Sequence, residues 1–342
     1  MKVEVSDTNK AQKGIFVSLS PKEMEPFLDN AARHLSEKLK IRGFREGHIP
    51  KSVAESNIGK DKLWQEASGE AIESKYIEII EKYKIHPIGR PWINILKLAP
   101  GNEFEFKIEI PIMPQIDLPD YKQIAKSVVK KKNRNITAQD EEIDSALKWL
   151  WKSRMTETEN KSSDIPEFDD KFAQSIGGFR TLEELKNSIK EGLIYEKEQK
   201  EIQRIRLEIL DKIARKLDLE ISEILIHEEL DKMQKELQQQ VESMDMSLEK
   251  YLENAKQTIE EVRKGWEDTA KTRVSNALIL RLIADMEKIE PDEKEVEERA
   301  NKYLMQFKNA KDAGKSINSD YLRLYISGII RNEKVFELLE NN

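Results

Sequence analysis

The chain has 342 residues, enough for two or three domains at about 150 residues each, and each of those would bury a real core. Charged residues make up 36% and hydrophobic residues 38%, while 13 glycines and 11 prolines are roughly half the usual combined share of about 12%, which favours long helices over a loop-rich fold. Cysteine is absent, which excludes disulfides, thiolate metal sites and a cysteine nucleophile, and no apolar run approaches the 18 residues of a membrane span. The formal charge of −7 is unevenly placed: residues 166–342 hold 30 Lys and Arg against 39 Asp and Glu, and residues 1–165 hold 28 against 26. Two stretches, 33–51 and 118–154, each carry a local charge of +4. Such spots steer toward polyanions, whereas a pI near 5.5 argues against a dedicated DNA binder. Met1 to Val5 leads into polar residues rather than a signal-peptide core, so a soluble cytoplasmic protein is expected.

In chain order, residues 1–117 read as an α+β domain. Gly14–Leu19, Trp92–Leu96 and Phe104–Ile110 have strand composition, and the last alternates apolar and polar residues as a half-buried strand does. Ser20, Pro21 and Glu23 are a helix start, with Met24, Leu28, Ala31, Leu35 and Leu39 at helical spacing behind them. That helix stops at Gly43, and a second runs from Leu63 to Tyr83, ending before His86-Pro87. Residues 118–136 are basic and poor in helical pattern and read as an extended connector, followed by a short helix that Thr137–Asp140 can cap and that Ile143, Leu147, Leu150 and Trp151 give an apolar face. Met155 to Ile165 is a polar linker. From Pro166 the chain reads as all helix. Capping boxes at Thr181–Glu184 and Thr258–Glu261 open long helices; Ile202, Ile205, Ile209, Ile213 and Leu217 stripe the first, and Trp266, Ala270, Val274, Leu278, Leu282 and Met286 stripe the second. Further helices are expected over Ile221–Met244, Ser247–Lys256, Pro291–Phe307 and Asn318–Leu339, arranged as protruding hairpins.

The sharpest motif is Gly43-Phe44-Arg45-Glu46-Gly47-His48-Ile49-Pro50, where the basic helix meets its loop. Two glycines permit tight backbone geometry, Pro50 stiffens the exit, and Phe44 beside Arg45 offers a hydrophobic anchor with a guanidinium for phosphate or carboxylate. The plainer reading is a helix–helix turn with Phe44 tucked into the core. The octapeptide resembles the G-F-R-x-G-x-x-P signature of trigger factor, the bacterial ribosome-associated chaperone family, and its strand–helix–loop–helix–strand setting is similar. Ile85–Pro91, Phe104–Leu118, Pro166–Phe172 and Thr181–Leu185 resemble further segments of that family.

The resemblance implies a multidomain α+β and all-α fold: a ribosome-binding α+β domain at 1–117, a connector with a short helix at 118–165, and a helical substrate-binding domain with arms at 166–342. It implies a chaperone that needs no ATP and no cofactor, binds no metal, and partners the large ribosomal subunit at its exit tunnel, both protein and RNA, together with unfolded or nascent polypeptides. Neither a membrane nor DNA is implied as a partner, and a homodimer of the free protein stays open. Arg42, Gly43, Phe44, Arg45, Glu46 and Gly47 would form the docking site. Glu46 and His48 stand where the family often carries lysine, which removes positive charge from the tip. The family's prolyl isomerase domain, of roughly a hundred residues, has only Met155 to Ile165 in its place, too short to fold as a domain, so no catalytic residue is expected.

Other motifs carry less. Gly314-Lys315-Ser316 resembles the end of a phosphate loop, but Asn309 stands where its first glycine belongs. His227-Glu228-Glu229 begins like a zinc-protease helix, yet Asp231 replaces the second histidine, so a charged helix face is the reading. Met233, Met244 and Met246 read as core or as adaptable client contacts, and Lys130–Lys132 as a solvated run or an RNA contact.

Overall fold

The computed structural model describes residues 1–37, 53, 56–57, 59–114, 116–154, 168–305 and 319–341. Contacts divide the chain into two compact units: Met1–Asp117 with Leu217–Leu278, and Leu118–Lys216 with Ile279–Asn342.

In the first unit, β1 (Lys2–Asn9), β2 (Gln12–Leu19), β3 (Trp92–Lys97) and β4 (Phe104–Pro111) form one antiparallel sheet in the order β1-β2-β4-β3. β1 escapes the sequence reading because polar residues dominate it; only Val3 and Val5 pack against the core. Asn9 Oδ1 accepts from Ala11 N–H at 2.8 Å and closes the β1–β2 turn. β2 and β4 pair without a break from Gln12–Pro111 to Leu19–Phe104, which sets Ile15, Val17 and Leu19 beside Phe104, Phe106, Ile108 and Ile110, all buried. α1 (Pro21–Glu37) and α2 (Lys60–Lys82) close this core with Met24, Leu28, Leu63, Trp64, Ala67 and Ile79.

The expected start of α1 is realised: the Glu23 carboxylate accepts from the Ser20 N–H at 2.9 Å and hydroxyl at 2.7 Å, and it also pairs with the Met1 ammonium. That ammonium first, then the two Ser20 donors, hold the Glu23 carboxyl down to about 2 from an ordinary 4.5. A depressed carboxyl stabilises the fold fully above its unfolded value and loses that contribution as pH falls through its folded value. The stability difference between wild type and Glu23→Gln should therefore be constant above about pH 5 and shrink between about pH 4.5 and 2; paired thermal melts across that range check it, and a difference that persists at pH 2 would refute the assignment.

The same unit takes in α7 (Glu223–Glu242) and α8 (Leu248–Ala255). Ser222 caps α7 and is fully buried; its hydroxyl donates to Gln12 Oε1 at 3.1 Å and accepts from Ile224 N–H at 3.3 Å. Lys10 N–H donates to Glu220 at 3.0 Å, and Arg90 N–H donates to Glu228 at 2.9 Å. Gly89 sits so close to α7 that a Cβ there would meet Leu225 Cδ2 at 2.7 Å and Glu228 Oε2 at 2.9 Å.

The second unit contains α3 (Tyr121–Val129), which corrects the extended reading of 118–136. Asp120 caps it, and Tyr121, Ile124, Ala125 and Val128 lie at helical spacing and are buried against α6 (Leu182–Ala214) and α11 (Ser319–Glu340). Dense lysines on the outer face hid that stripe. The next helix, α4 (Asp140–Arg154), begins after Gln139, whose N–H donates to the Glu142 carboxylate at 2.8 Å. α4 packs Ile143 and Leu147 against Ala173 of α5 (Asp170–Ile176) and Leu185 of α6. Thr181 caps α6 as expected, accepting from Glu184 N–H at 3.2 Å, and α6 runs for 33 residues. The Thr258 box is complete in both directions at the start of α9 (Ile259–Met286).

The expected α9 stripe holds from Ala270 to Leu278 and then shifts, since Ile279 and Ile283 are buried and Met286 is exposed. Steps of four residues rotate by about 40° each around a helix of 3.6 residues per turn, so a strict four-residue repeat walks off the buried face. α10 (Glu293–Met305) pairs with α11 through Ala300, Leu322, Ile326 and Ile330. Among the described residues no helix is long and apolar enough to cross a membrane.

Candidate functional site

The six residues expected to form the docking tip, Arg42, Gly43, Phe44, Arg45, Glu46 and Gly47, lie outside the described residues, as do the 155–165 linker and Gly314-Lys315-Ser316. The described chain fixes what flanks the tip. α1 is described as far as Glu37 and α2 from Lys60, and the two helices pack on each other over the sheet.

Apolar side chains lie on the surface of both units. In the first are Ile77 and Tyr83, then Trp92, Ile93, Ile95 and Leu96 along β3, and Met244 and Tyr251 near the turn from α7 to α8. In the second are Trp149, Tyr195, Leu207, Tyr303 and Met305, with Tyr321, Leu324 and Tyr325 on α11. α11 is apolar on two sides: Leu322, Ile326 and Ile330 face α10, and Tyr321, Leu324 and Tyr325 face solvent at one- and three-residue steps. A second apolar stripe on one helix is a signal the sequence carries and the expectation of a single core face overlooks. Beside it a groove of about 570 Å³ between α10 and α11 is lined by Pro291, Val296 and Leu324 with Glu293, Lys294, Glu297, Asp320 and Arg323 at its sides. Of the methionines, Met233 is core with Leu230 and Ala270, and Met244 is exposed by 69%.

Apart from Tyr76, which burial alone raises, the titratable groups with displaced pKa values are held by structural partners. The Arg204 guanidinium first, then the Asn133 N–H, hold Glu201 down to about 2. The Gln139 N–H and then Lys197 lower Glu142. Burial, then the hydrogen bond to Glu287, pushes Tyr121 up to about 12, and Lys122 followed by Tyr121 lowers Glu287. A polar hollow of about 350 Å³ lined by Asn133, Thr137, Lys197, Lys200, Glu201 and Arg204 has each cation paired: Lys197 with Glu142, Lys200 with Glu196, Arg204 with Glu201 and Glu208. The His227 segment is a charged face. His227 meets the Trp92 ring edge-on at 5.2 Å, Glu229 pairs with Arg273, and Asp231 with Arg263. No group of three metal-capable side chains occurs among the described residues.

Comparison with known proteins supplies the identity. The family model for bacterial trigger factor protein matches residues 1–150, and the model for its C-terminus matches residues 181–340. A trigger factor of Caldicellulosiruptor saccharolyticus is 25% identical, with 99% of this chain and 96% of that protein covered; one of Pelotomaculum thermopropionicum is 22% identical, with 100% and 97% covered. A solved structure, described as "Promiscuous Substrate Recognition in Folding and Assembly Activities of the Trigger Factor Chaperone", shares the fold with a TM-score of 0.55 at 17% identity, covering both chains in full. With both models of one family matched across most of its length, the chain belongs to the bacterial trigger factor family.

Proposed function

We propose that this protein is a chaperone that works without ATP in the cytoplasm, docking on the large ribosomal subunit near the exit tunnel and shielding emerging polypeptides. The observation that carries the reading is the pairing of trigger factor models at 1–150 and 181–340 with apolar side chains spread over a strongly charged surface. Each exposed side chain offers a weak contact, and several together hold an unfolded chain while letting it go without a nucleotide. Tethering beside the tunnel raises the effective concentration of client, which lets single contacts stay weak.

Residues 1–117 serve as the docking domain, with Phe44 and Arg45 as main contacts and Arg42, Gly43, Glu46 and Gly47 shaping the tip. Residues 118–165 connect, and 166–342 receive clients. No isomerase interrupts the connector between 155 and 165. Supporting this, the alignment to the Caldicellulosiruptor protein runs over 426 positions against 342 residues in this chain, so at least 84 positions of the relative face a gap, and residues 151–180 lie between the two family models.

Co-sedimentation with non-translating ribosomes at low and moderate salt tests the reading. Wild type should pellet with ribosomes and lose binding as salt rises, and Phe44→Ala combined with Arg45→Ala should weaken binding tenfold or more. Glu46 and His48 favour one second reading, a holdase or assembly scaffold that never meets the ribosome. Suppression of client aggregation without ribosome binding by the wild type would move the function there.

A further inference from the structure

β3 is an outer strand of the sheet, and all six of its residues, Trp92–Lys97, are exposed. Four of them are large and apolar: Trp92, Ile93, Ile95 and Leu96, exposed by 40, 45, 45 and 51%. Soluble proteins usually blunt such an edge with inward charge, proline, a bulge or a covering element. Here Pro91 lies before the strand, and the charge of Lys97 and the register shift between Ile95 and Lys97 come only at its end.

Register explains how the apolar surface arises. Ile93 lies opposite Ile108 and Ile95 opposite Phe106, so both share the face on which Ile108 and Phe106 are fully buried. The core face thus continues along β3 into solvent. Trp92 lies on the other face, against His227. The strand pairs only with β4, so its alternate N–H and C=O groups point away from the sheet, and among the described residues no backbone hydrogen bond joins 92–97 to any other segment.

The geometry points to β3 as a pairing edge on which a short, extended apolar segment of a client polypeptide adds itself as a fifth strand of the sheet. Backbone pairing supplies sequence-independent attachment, and the exposed isoleucines, Leu96 and Trp92 supply apolar contact on both faces. Arg90 and Lys97 bracket the strand with positive charge, so the best-fitting segment carries carboxylates at its ends. Size decides between this occupant and a second copy of the chain. Six residues make an edge of about 20 Å, and covering it buries on the order of several hundred Å², well short of the roughly 1,200 Å² typical of stable protein pairs. A weakly held, readily released strand fits that area.

This assignment rests on the chaperone reading and names one of its contact sites. The probe is a fluorescein-labelled, acetylated eight-residue peptide with alternating valine and threonine between two terminal glutamates, added to the full-length protein. Binding should slow amide hydrogen exchange in residues 92–97. Methylating alternate backbone nitrogens of the peptide, which blocks edge pairing and leaves its side chains intact, should weaken binding tenfold or more on the wild-type protein, and Ile95→Lys should do the same. Equal binding of the methylated peptide, or unchanged exchange in 92–97, would overturn the assignment. So would protection of 92–97 that grows with protein concentration in the absence of peptide, which would make the occupant a second copy. Undiminished binding of the unmodified peptide to Ile95→Lys, in a protein that suppresses client aggregation as well as wild type does, would remove β3 and leave the chaperone reading standing; failure of the wild type itself to suppress aggregation would remove both.

Discussion

Phe106→Ala is expected to lower stability by about 3–5 kcal/mol, the range for truncating a buried aromatic. Phe106 is fully buried in the middle of β4, its ring 5.0 Å from that of Phe104, with Val17 beside it on β2. Against a total of about 5–15 kcal/mol for a domain, that loss is enough to leave the sheet partly unfolded at physiological temperature. In urea the midpoint of the first unit should fall by about 1–3 M. Ile95→Ala is the matched control: it stands opposite Phe106 on the same face, yet half of its surface is already in water, so its cost should stay near 1 kcal/mol. Similar midpoints for the two variants would mean that the helices do not seal β4 as described.

The second large effect belongs to Leu147→Ala in α4. Leu147 is fully buried among Ile143, Ala173 and Leu185, with Phe168, Phe172 and Leu182 partly buried around it. Leucine truncation costs about 2–5 kcal/mol, and a cluster with only four buried residues relaxes more easily than a sheet core, so the lower part of that range is expected. Trp149, two residues on and exposed by 68%, should tolerate alanine with a change below about 0.5 kcal/mol. Thermal melts of the two variants decide the point: an equal effect would place Leu147 outside a core.

Legibility in the sequence followed how a residue's environment is encoded. β4 was readable because Phe104, Phe106, Ile108 and Ile110 alternate with polar residues, and the helix starts at Ser20, Thr181 and Thr258 because caps are local chemistry. α3 was missed because five lysines between 122 and 132 outweighed four apolar residues at helical spacing, and local composition does not reveal that α6 and α11 supply their partners. β1 was missed because it borrows its order from pairing with β2. The exposure of Ile93 and Ile95 was not foreseeable either, since an apolar strand reads the same in mid-sheet and at an uncovered edge. For the proposed docking tip, the sequence signature remains the guide, with α1 described as far as Glu37 before it and α2 from Lys60 after it.

The buried contact between Ser222 and Gln12 spans 210 residues of sequence. It has a consequence in time as well as space. A ribosome adding about 5–20 residues per second delivers Ser222 roughly 5–20 s after residue 117 completes the N-terminal segment. Through that interval the sheet with α1 and α2 stands without α7, and the side of Gln12 and Gly89 that Ser222, Leu225 and Glu228 later cover stays open. A protein proposed to shelter emerging chains thus passes through its own emergence with its first unit incomplete, resting on the core that the sheet shares with α1 and α2.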